Sequence, residues 1–289
     1  MKLAVSSYEF SNMTFAQIAK FLNELGVNYL ELWPEHVANE KEADVKASLE
    51  EYNIQVSCVS ARSQYRMNAE AVDKAQEAIQ LAMDLASTYG AKYVTTYLGG
   101  NPSRDYLTTL KLYQQNLRPC LEEAASRGQT ILLENMFDHR NEDPQGSKPS
   151  RYADGTLAIY EMITTEFENF GITYDPVNFY IAHDEAYPYA YEVLKGCNMP
   201  NVHIKDMTRY DEWLYGDRAA LAVWEDSVTG PYLSLPAGQG VINWEGIIRR
   251  LKRDGFDGYI TVDIMTKESD RVQAYHDTVN FTRRLMALE

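Results

Sequence analysis

The chain has 289 residues, of which 45% are hydrophobic, and its formal net charge at pH 7 is −15. This length suits a single (β/α)-barrel domain spanning 1–289, because such domains typically take about 250 residues and no Gly/Ser- or Pro-rich linker divides the chain. The strong negative charge argues against nucleic acid and anionic membranes as partners, since both attract clustered Lys and Arg.

Strand-like and helix-like segments alternate along the whole chain. The helical segments place apolar residues at i, i+3 and i+4, as Phe15, Ile18, Ala19 and Leu22 do. The predicted strands are 3–8, 28–33, 54–60, 93–98, 130–135, 171–175, 202–206 and 258–264. Eight strands with helices between them favour a single (β/α)8 TIM barrel over an open doubly wound sheet.

The junctions between a helix and the next strand share one pattern, in which a glycine precedes the strand by two or three residues. These glycines are Gly26, Gly90, Gly128 and Gly255. Glycine just past a helix end adopts the left-handed cap conformation, so we expect short turns on this face of the barrel. Long loops are expected on the other face, after strand five (136–153) and strand seven (207–242). Loops of this length are usually functional lids or disordered.

Four strand-like segments in the second half of the chain end in a side chain that suits a metal ion. These side chains are Glu134, Asp175, His203 and Asp263. Each alone is more often a helix N-cap or a solvated loop residue, but strand ends in a parallel barrel open onto one face. Three carboxylates and one imidazole there predict a site for one divalent ion.

The sequence around these residues resembles a known family. The matching segments are 131–135, 174–178, 202–206 and 236–244, and their most specific parts are His-x-Lys-Asp and Pro-x-Gly-x-Gly-x-Ile-x-Trp. They are similar to the xylose isomerase-like TIM barrels, a superfamily that contains sugar epimerases, inosose-processing enzymes, dehydroshikimate dehydratases and endonuclease IV. The resemblance covers essentially the whole chain. It implies one divalent ion (Mn²⁺, Mg²⁺ or Co²⁺, with Zn²⁺ a further option) bound by Glu134, Asp175, His203 and Asp263.

The chain departs from the ketose 3-epimerases of that superfamily at three positions. Asp263 stands where the last ligand is usually Glu, which leaves its part in proton transfer open. Asn178 and Arg140 replace a His and a Glu, which argues against a close ketose 3-epimerase. Arg209, six residues after His203, matches an Arg that binds substrate oxygens in those enzymes. The five histidines and the acidic composition exclude the multi-His endonuclease IV branch.

The resemblance implies isomerisation or epimerisation of a small sugar or keto-polyol through an enediolate. Glu134 is the predicted base as well as a ligand, and Asp263 is the second candidate for proton transfer. Lys205 lies on the same side of its strand as His203, so it would contact a substrate hydroxyl or protonate a leaving oxygen. Pairing of Lys205 with Asp206 or another barrel acid is the structural alternative. The alternative functions are a dehydratase (lyase) of a keto-polyol or dehydroshikimate-like acid, and a non-catalytic sugar-binding barrel.

Further residues are predicted to line the mouth of the barrel and contact the substrate. They are Arg209, His183, Asn178, Arg140 and Glu31, with Arg151 as a second loop cation and Trp33, Tyr97 and Phe137 as stacking rings. Several have structural alternatives. These are an exposed loop position for His183, half of an ion pair for Glu31, an offset of nearby acids for the loop arginines, and core packing for the three rings. The Gly238-Gln-Gly240 segment is interpreted as a tight turn rather than an anion site.

Cysteine usage and the N-terminus bear on the cellular compartment. The three cysteines lie far apart, as Cys58, Cys120 and Cys197, which fits a reducing cytoplasm and excludes a thiolate metal site. The N-terminal segment turns polar too soon for a signal peptide, and no stretch approaches a transmembrane span. We therefore expect a cytoplasmic protein with a small-molecule substrate. Assembly into a homo-oligomer is left open.

Overall fold

The computed structural model describes residues 1–61, 72–97, 105–137 and 149–288. Its strands, in chain order, are β1 (Lys2–Ser6), β2 (Tyr29–Leu32), β3 (Gln55–Ser60), β4 (Tyr93–Thr96), β5 (Thr130–Glu134), β6 (Phe170–Tyr174), β7 (Asn201–Ile204), β8 (Asp206–Arg209), β9 (Val223–Asp226), β10 (Gly230–Leu235) and β11 (Tyr259–Val262). The parallel strands β1–β7 and β11 close into a barrel in the order β1-β11-β7-β6-β5-β4-β3-β2. The predicted (β/α)8 barrel is therefore confirmed.

Helices connect the barrel strands and cover their outer surface. They are α1 (Phe15–Leu25), α2 (Glu42–Glu51), α3 (Val72–Tyr89), α4 (Tyr106–Ser126), α5 (Ala153–Thr164), α6 (Pro176–Ile181), α7 (Tyr191–Leu194), α8 (Glu212–Tyr215), α9 (Trp244–Arg253) and α10 (Arg271–Ala287). Within the described ranges, no helix is both long enough and apolar enough to cross a membrane.

Helix α1 shows how the local sequence sets these elements. The Thr14 side chain accepts a hydrogen bond from the Gln17 backbone N–H, and the Gln17 side chain accepts one from the Thr14 backbone, which forms a capping box. The helix buries Ile18 and Leu22 completely, and each such side chain stabilises the fold by about 1.5–3 kcal/mol. Gly26 ends the helix at φ 67°. The other predicted junction glycines, Gly90, Gly128 and Gly255, also have positive φ.

The segment predicted as a long loop after strand seven contains a second sheet. Strands β8, β10 and β9 form an antiparallel sheet in that order, so the predicted strand 202–206 ends at Ile204 and Asp206 begins a new strand. The turn between β9 and β10 is organised by Asp226, whose Oδ1 accepts hydrogen bonds from the backbone N–H groups of Val228 at 2.9 Å and Thr229 at 2.8 Å. Such an Asx turn favours a hairpin over an open loop.

An ion pair joins this sheet to the segment that precedes α5. Arg151 donates to both carboxylate oxygens of Asp226, at 2.6 and 3.0 Å, and the two side chains are 2% and 0% exposed. A buried bidentate pair of this kind fixes geometry as well as charge. Arg151 is thus engaged within the protein, whereas its predicted role was contact with substrate.

Candidate metal centre

The four predicted ligands come together at the carboxyl end of the barrel. Glu134 is the last residue of β5, His203 lies within β7, and Asp175 and Asp263 directly follow β6 and β11. These four strands are neighbours in the barrel. One ligand atom from each residue lies within 4.8 Å of the others. The convergence expected from the strand ends is therefore present.

One nitrogen lies among the three carboxylates. His203 Nδ1 is 3.3 Å from Glu134 Oε1, 3.6 Å from Asp263 Oδ2 and 3.8 Å from Asp175 Oδ2. Glu134, Asp175 and His203 are at most 2% exposed, and the Asp263 side chain is 13% exposed. A divalent ion coordinated by oxygen and imidazole ligands needs such a compact, mostly buried donor set.

Three buried atoms of this set lack hydrogen-bond partners among the described residues. They are Nδ1 of His203, Oε2 of Glu134 and Oδ2 of Asp175, of which the last lies 2.6 Å from Lys205 Nζ. A buried polar atom left without a partner costs free energy, because it loses its hydration without replacement. Coordination of a cation would satisfy Nδ1 of His203 and would draw on one oxygen of each carboxylate. The residues present therefore fit a divalent ion.

The charges around the site are unbalanced. The site contains the carboxylates of Glu134, Asp175 and Asp263, with the buried carboxylate of Glu31 on the far side of His203, and one ammonium, that of Lys205. Lys205 Nζ lies 2.6 Å from Asp175 Oδ2 and 2.8 Å from Asp263 Oδ2. Burial raises the pKa of Asp175 to about 6 despite the attraction of Lys205. Burial also raises the pKa of Asp263, but Lys205 and His203 outweigh it and lower that pKa to about 2.

The same charges act on the imidazole. Burial lowers the pKa of His203, but the carboxylates of Glu134, Glu31 and Asp263 outweigh it and raise the pKa well above its usual value. Excess buried negative charge is expensive unless a cation compensates it. A proton on His203 partly compensates it, and a divalent ion would compensate more of it while displacing that proton from the ligand nitrogen.

Asparagine side chains hold two of the ligands in place. Asn135 Nδ2 donates to the Asp175 carbonyl, and the Asp175 N–H donates back to Asn135 Oδ1, both at 2.9 Å. Asp175 Oδ1 also caps α6 by accepting from the N–H groups of Val177 and Asn178. Asn178 Nδ2 donates to Glu134 Oε1 at 3.1 Å. The predicted substrate residue Asn178 therefore contacts a ligand directly.

A small aromatic pocket opens above the ligands. It is lined by Tyr8, Trp33, Tyr97, Glu134, Met136, Phe137, Asn178, Lys205, Trp224, Asp263 and Met265. Tyr8 and Trp33 have ring centroids 4.8 Å apart, and Trp33 and Tyr97 are 6.4 Å apart, so the rings form one wall. The predicted rings Trp33, Tyr97 and Phe137 all line this pocket. A wider groove at the opposite end of the barrel, near Lys46 and Tyr259, contains none of the four ligands.

Sequence reasoning missed Tyr8 and Trp224 as lining residues. Trp224 reaches the mouth from β9, inside the segment interpreted as a loop. Two features of the sequence could have indicated a hairpin there: the β-prone run Val223-Trp-Glu and the turn residues from Asp226 to Gly230. Tyr8 lies at the end of the predicted strand 3–8 and follows β1 by two residues, so its strand-end position is the signal that could have indicated it.

Other predicted substrate residues lie away from the pocket. Arg209 is exposed at the end of β8, and His183 is exposed in a left-handed turn at φ 59°. Neither lines the mouth among the described residues. Glu31 is completely buried and contacts His203 rather than the pocket. Arg140 lies outside the described residues, as do most residues of the loop after strand five.

The Gly238-Gln-Gly240 segment folds around an internal carboxylate. Asp206 accepts hydrogen bonds from the backbone N–H groups of Met207 at 3.0 Å, Gly238 at 3.0 Å and Ile242 at 3.1 Å. A Cβ on Gly240 would lie 2.3 Å from Asp206 Oδ1, so this position requires glycine. These amides serve a side chain of the same chain, in agreement with the tight-turn interpretation. Lys205 pairs with Asp175 and Asp263, as the barrel-acid alternative predicted.

Comparisons with known proteins agree with this architecture. The sequence profile of the xylose isomerase-like TIM barrel matches residues 19–285. No curated protein sequence matches the chain. Similar solved structures include the IolI protein with a zinc atom (18% identity, 99% of this chain and 98% of that one, TM-score 0.76). A second is the probable 3-DHS dehydratase AsbF from Bacillus anthracis (15% identity, 98% of this chain and 99% of that one, TM-score 0.74). A third is the apo form of the 3-keto-D-glucoside 4-epimerase YcjR from E. coli (17% identity, 98% of this chain and 99% of that one, TM-score 0.73). At these identities the structures share the fold.

Proposed function

The chain belongs to the xylose isomerase-like TIM barrel family, and on that basis we propose that it is a metal-dependent enzyme that isomerises or epimerises a small sugar or keto-polyol. The observation that carries this proposal is the convergence of Glu134, Asp175, His203 and Asp263, with a buried nitrogen and a buried oxygen left without hydrogen bonds. An epimerase among the structural relatives and a relative with zinc support it.

The donor set suggests which ions would bind. Three carboxylates and one imidazole suit Mn²⁺, Mg²⁺ or Co²⁺, and they also accommodate Zn²⁺. When bound, a divalent ion supplies Lewis acidity, which polarises a carbonyl and neutralises the charge that develops as a proton leaves carbon. Asp263 is shorter than Glu, yet its Oδ2 lies 3.6 Å from His203 Nδ1, so it reaches the other ligands.

Glu134 is the proposed base. Glu134 lines the pocket, and its Oε1, which accepts from Asn178 and lies 3.3 Å from His203 Nδ1, is the oxygen placed to bind the ion. Its Oε2 is buried without a hydrogen bond among the described residues. An oxygen without a donor is free to accept a proton from a substrate carbon. Asn178 orients that carboxylate, and its own Oδ1 also has no partner among the described residues, so it can accept a hydrogen bond from a substrate hydroxyl.

Lys205 is the proposed donor to substrate oxygen. It lines the pocket, and its ammonium is held between Asp175 and Asp263. Burial lowers the pKa of Lys205, but these acids outweigh it and raise the pKa above its usual value, so the side chain stays charged. A fixed ammonium donates hydrogen bonds to a hydroxyl or to an enediolate oxygen. The aromatic wall packs against the apolar face of a sugar and excludes water.

Dehydration is the second candidate function, and the buried Lys205 ammonium is the observation that favours it. The same proton abstraction by Glu134 can be followed by loss of a hydroxyl from the β-carbon instead of reprotonation. The hydroxyl leaves as water when it takes up the proton that Glu134 abstracted, and the Lys205 ammonium can stabilise the leaving oxygen by donating a hydrogen bond to it. The probable dehydratase among the structural relatives agrees with this alternative.

Deuterium exchange would test the proposal. The protein is loaded with Mn²⁺ and incubated in D₂O with D-fructose, D-tagatose, an inosose, a methyl 3-keto-glucoside and 3-dehydroshikimate, and each mixture is followed by NMR. Deuterium at the carbon beside the carbonyl, without loss of water, is expected for an isomerase or epimerase. Loss of water would establish the dehydratase. Binding without either reaction would leave a non-catalytic sugar-binding barrel. Metal-free protein is the control for all five compounds.

A further inference from the structure

Glu31 is a charged residue in the interior of the barrel, beneath the metal ligands. It lies in β2 and is 0% exposed. Its Oε2 is 3.0 Å from His203 Nε2 and accepts a hydrogen bond from Asn201 Nδ2 at 2.9 Å. Glu31 therefore contacts the ring nitrogen of His203 that faces away from the other three ligands.

This contact determines which nitrogen of His203 is free to bind a metal. In a neutral imidazole one nitrogen carries the proton and the other carries the lone pair. A carboxylate cannot donate, so Glu31 favours a proton on Nε2 and leaves the lone pair on Nδ1. Nδ1 is the atom that lies among Glu134, Asp175 and Asp263, and it has no hydrogen bond to any residue that the structure describes.

A second set of hydrogen bonds fixes the orientation of the Glu31 carboxylate. The Glu31 carboxylate only accepts, so the Asn201 NH₂ group faces it at 2.9 Å, closer than the 3.3 Å from this NH₂ group to His203 Nε2. On the other side of the amide, Thr261 Oγ1 donates to Asn201 Oδ1 at 2.7 Å. Asn201 and His203 lie on β7, Thr261 on β11 and Glu31 on β2. Three strands of the barrel therefore contribute to holding one imidazole.

Hydrogen bonding alone does not require a charge at position 31. A neutral glutamine would present one oxygen to the same two donors, and the other oxygen of Glu31, Oε1, is buried without a hydrogen bond among the described residues. A buried negative charge is destabilising unless a nearby cation compensates it, and here a protonated His203 or a bound ion would do so. A negative charge on Nε2–H makes Nδ1 a stronger ligand, and it adds to the attraction for a cation.

We propose that Glu31 is a positioning residue for the metal: it holds His203 as the Nε2–H tautomer, directs the Nδ1 lone pair at the ion and raises its basicity. This inference rests on the proposed function, because it concerns the same metal. It replaces the substrate-binding role predicted for Glu31 from the sequence.

Metal affinity tests the role of the charge. Titration calorimetry with MnCl₂ measures the Kd for Mn²⁺ in the wild-type protein, Glu31→Gln and Thr95→Val. The two variants compare the loss of a buried charge with the loss of a buried hydroxyl. Thr95 is the matched control because it is also buried in the barrel interior, where it contacts Cys58 and Thr173 and no ligand. Loss of such an outer carboxylate typically weakens metal binding about 10- to 100-fold, so we expect this for Glu31→Gln and less than about a twofold change for Thr95→Val. An unchanged Kd in Glu31→Gln overturns the inference.

The tautomer can be measured without any variant. Wild-type protein labelled with ¹⁵N-histidine and loaded with Zn²⁺ should show His203 protonated at Nε2, with a proton shifted downfield by the carboxylate, in long-range ¹H–¹⁵N spectra. A His203 that carries its proton on Nδ1 overturns the inference even if metal binds. Wild-type protein that binds none of Mn²⁺, Co²⁺, Mg²⁺ or Zn²⁺ overturns the proposed function and the metal role of Glu31 together. If the wild-type protein and Glu31→Gln bind metal equally well, the inference about Glu31 is wrong but the proposed function is not affected.

Discussion

Two regions of the molecule contain buried acids. Lys205 contacts the ligand cluster (Glu134, Asp175, His203 and Asp263) in the barrel, whereas the structural acids (Asp206 and Asp226) belong to the antiparallel sheet that follows β7. Asp206 accepts backbone N–H groups through both oxygens, and Asp226 is paired with Arg151 and with its own turn. The ligand cluster, by contrast, retains buried atoms without hydrogen bonds.

This difference separates a stabilising role from a binding role for the same residue type. A carboxylate whose oxygens all find donors has its desolvation offset within the protein, so its removal affects the fold. A carboxylate that keeps a buried oxygen without a donor is stabilised only when something else binds. Conservative substitutions in the ligand cluster should therefore lower activity but leave the free energy of unfolding nearly unchanged. Substitutions that disturb the structural acids should lower the free energy of unfolding instead.

The largest effect is expected when the proposed base loses its charge. Glu134→Gln preserves shape and the contact with Asn178 but removes the proton acceptor, so the rate of deuterium exchange into substrate should fall about 10²- to 10⁴-fold. The free energy of unfolding should change little. Glu245→Gln, an exposed acid on α9, is the control and should keep full activity. Exchange at the wild-type rate would transfer the role of base to Asp263 or Lys205.

The Arg151–Asp226 pair should show the opposite behaviour. Arg151→Ala leaves Asp226 buried without its cation, and loss of one partner of a buried pair costs about 3–5 kcal/mol of unfolding free energy. Urea denaturation measures it. Arg218→Ala is matched to it, because Arg218 pairs with Glu225 in the same sheet but both are more than 40% exposed, and the change there should stay below about 1 kcal/mol. Equal losses in the two variants would contradict the assignment of Asp226 as a structural acid.

A methyl group at Gly240 tests the turn around Asp206. Its Cβ would lie 2.3 Å from Asp206 Oδ1 and 2.6 Å from the Met207 carbonyl oxygen, so Gly240→Ala should cost about 1–3 kcal/mol. Gly196→Ala meets nothing within 4 Å and should stay within about 0.5 kcal/mol of wild type. The affinity for Mn²⁺ should stay the same in both variants. A weaker metal site in Gly240→Ala would mean that the turn supports the ligand cluster as well.

The smallest effect concerns the stability of the protein in acid. Burial raises the pKa of Asp226, but hydrogen bonds from Arg151 and from the turn outweigh it and lower the pKa to about 2. Because the folded pKa is lower than the unfolded one, this stabilisation is complete above the unfolded pKa of about 3.9 and is lost as the pH falls through about 2. The difference in unfolding free energy between wild type and Arg151→Ala should therefore shrink between pH 4 and pH 2. A difference that stays constant over this range would show that the pair acts through packing alone.

Much of the fold and of the ligand set could be predicted from the sequence, because local patterns carry that information. The eight barrel strands follow runs of apolar residues, and the cap glycines mark their approaches. The candidate ligands could be selected because a carboxylate or imidazole at the end of an apolar run has no packing role. All strand ends of a parallel barrel meet on one face, so four such ends in the sequence were sufficient to predict their convergence.

The remaining features depend on which side chains meet across the barrel, and the sequence does not contain that information locally. Glu31 and Trp33 are two residues apart in the sequence, yet Glu31 lies under His203 and Trp33 lines the mouth. Lys205 and Asp206 are neighbours, yet Lys205 pairs with Asp175 and Asp263, whereas Asp206 accepts hydrogen bonds from the backbone of the turn at Gly238. The tertiary structure alone decided these partners, because contacts between strands distant in sequence depend on the closure and register of the barrel. The same contacts decide whether a buried carboxylate finds donors within the protein or remains available to bind an ion.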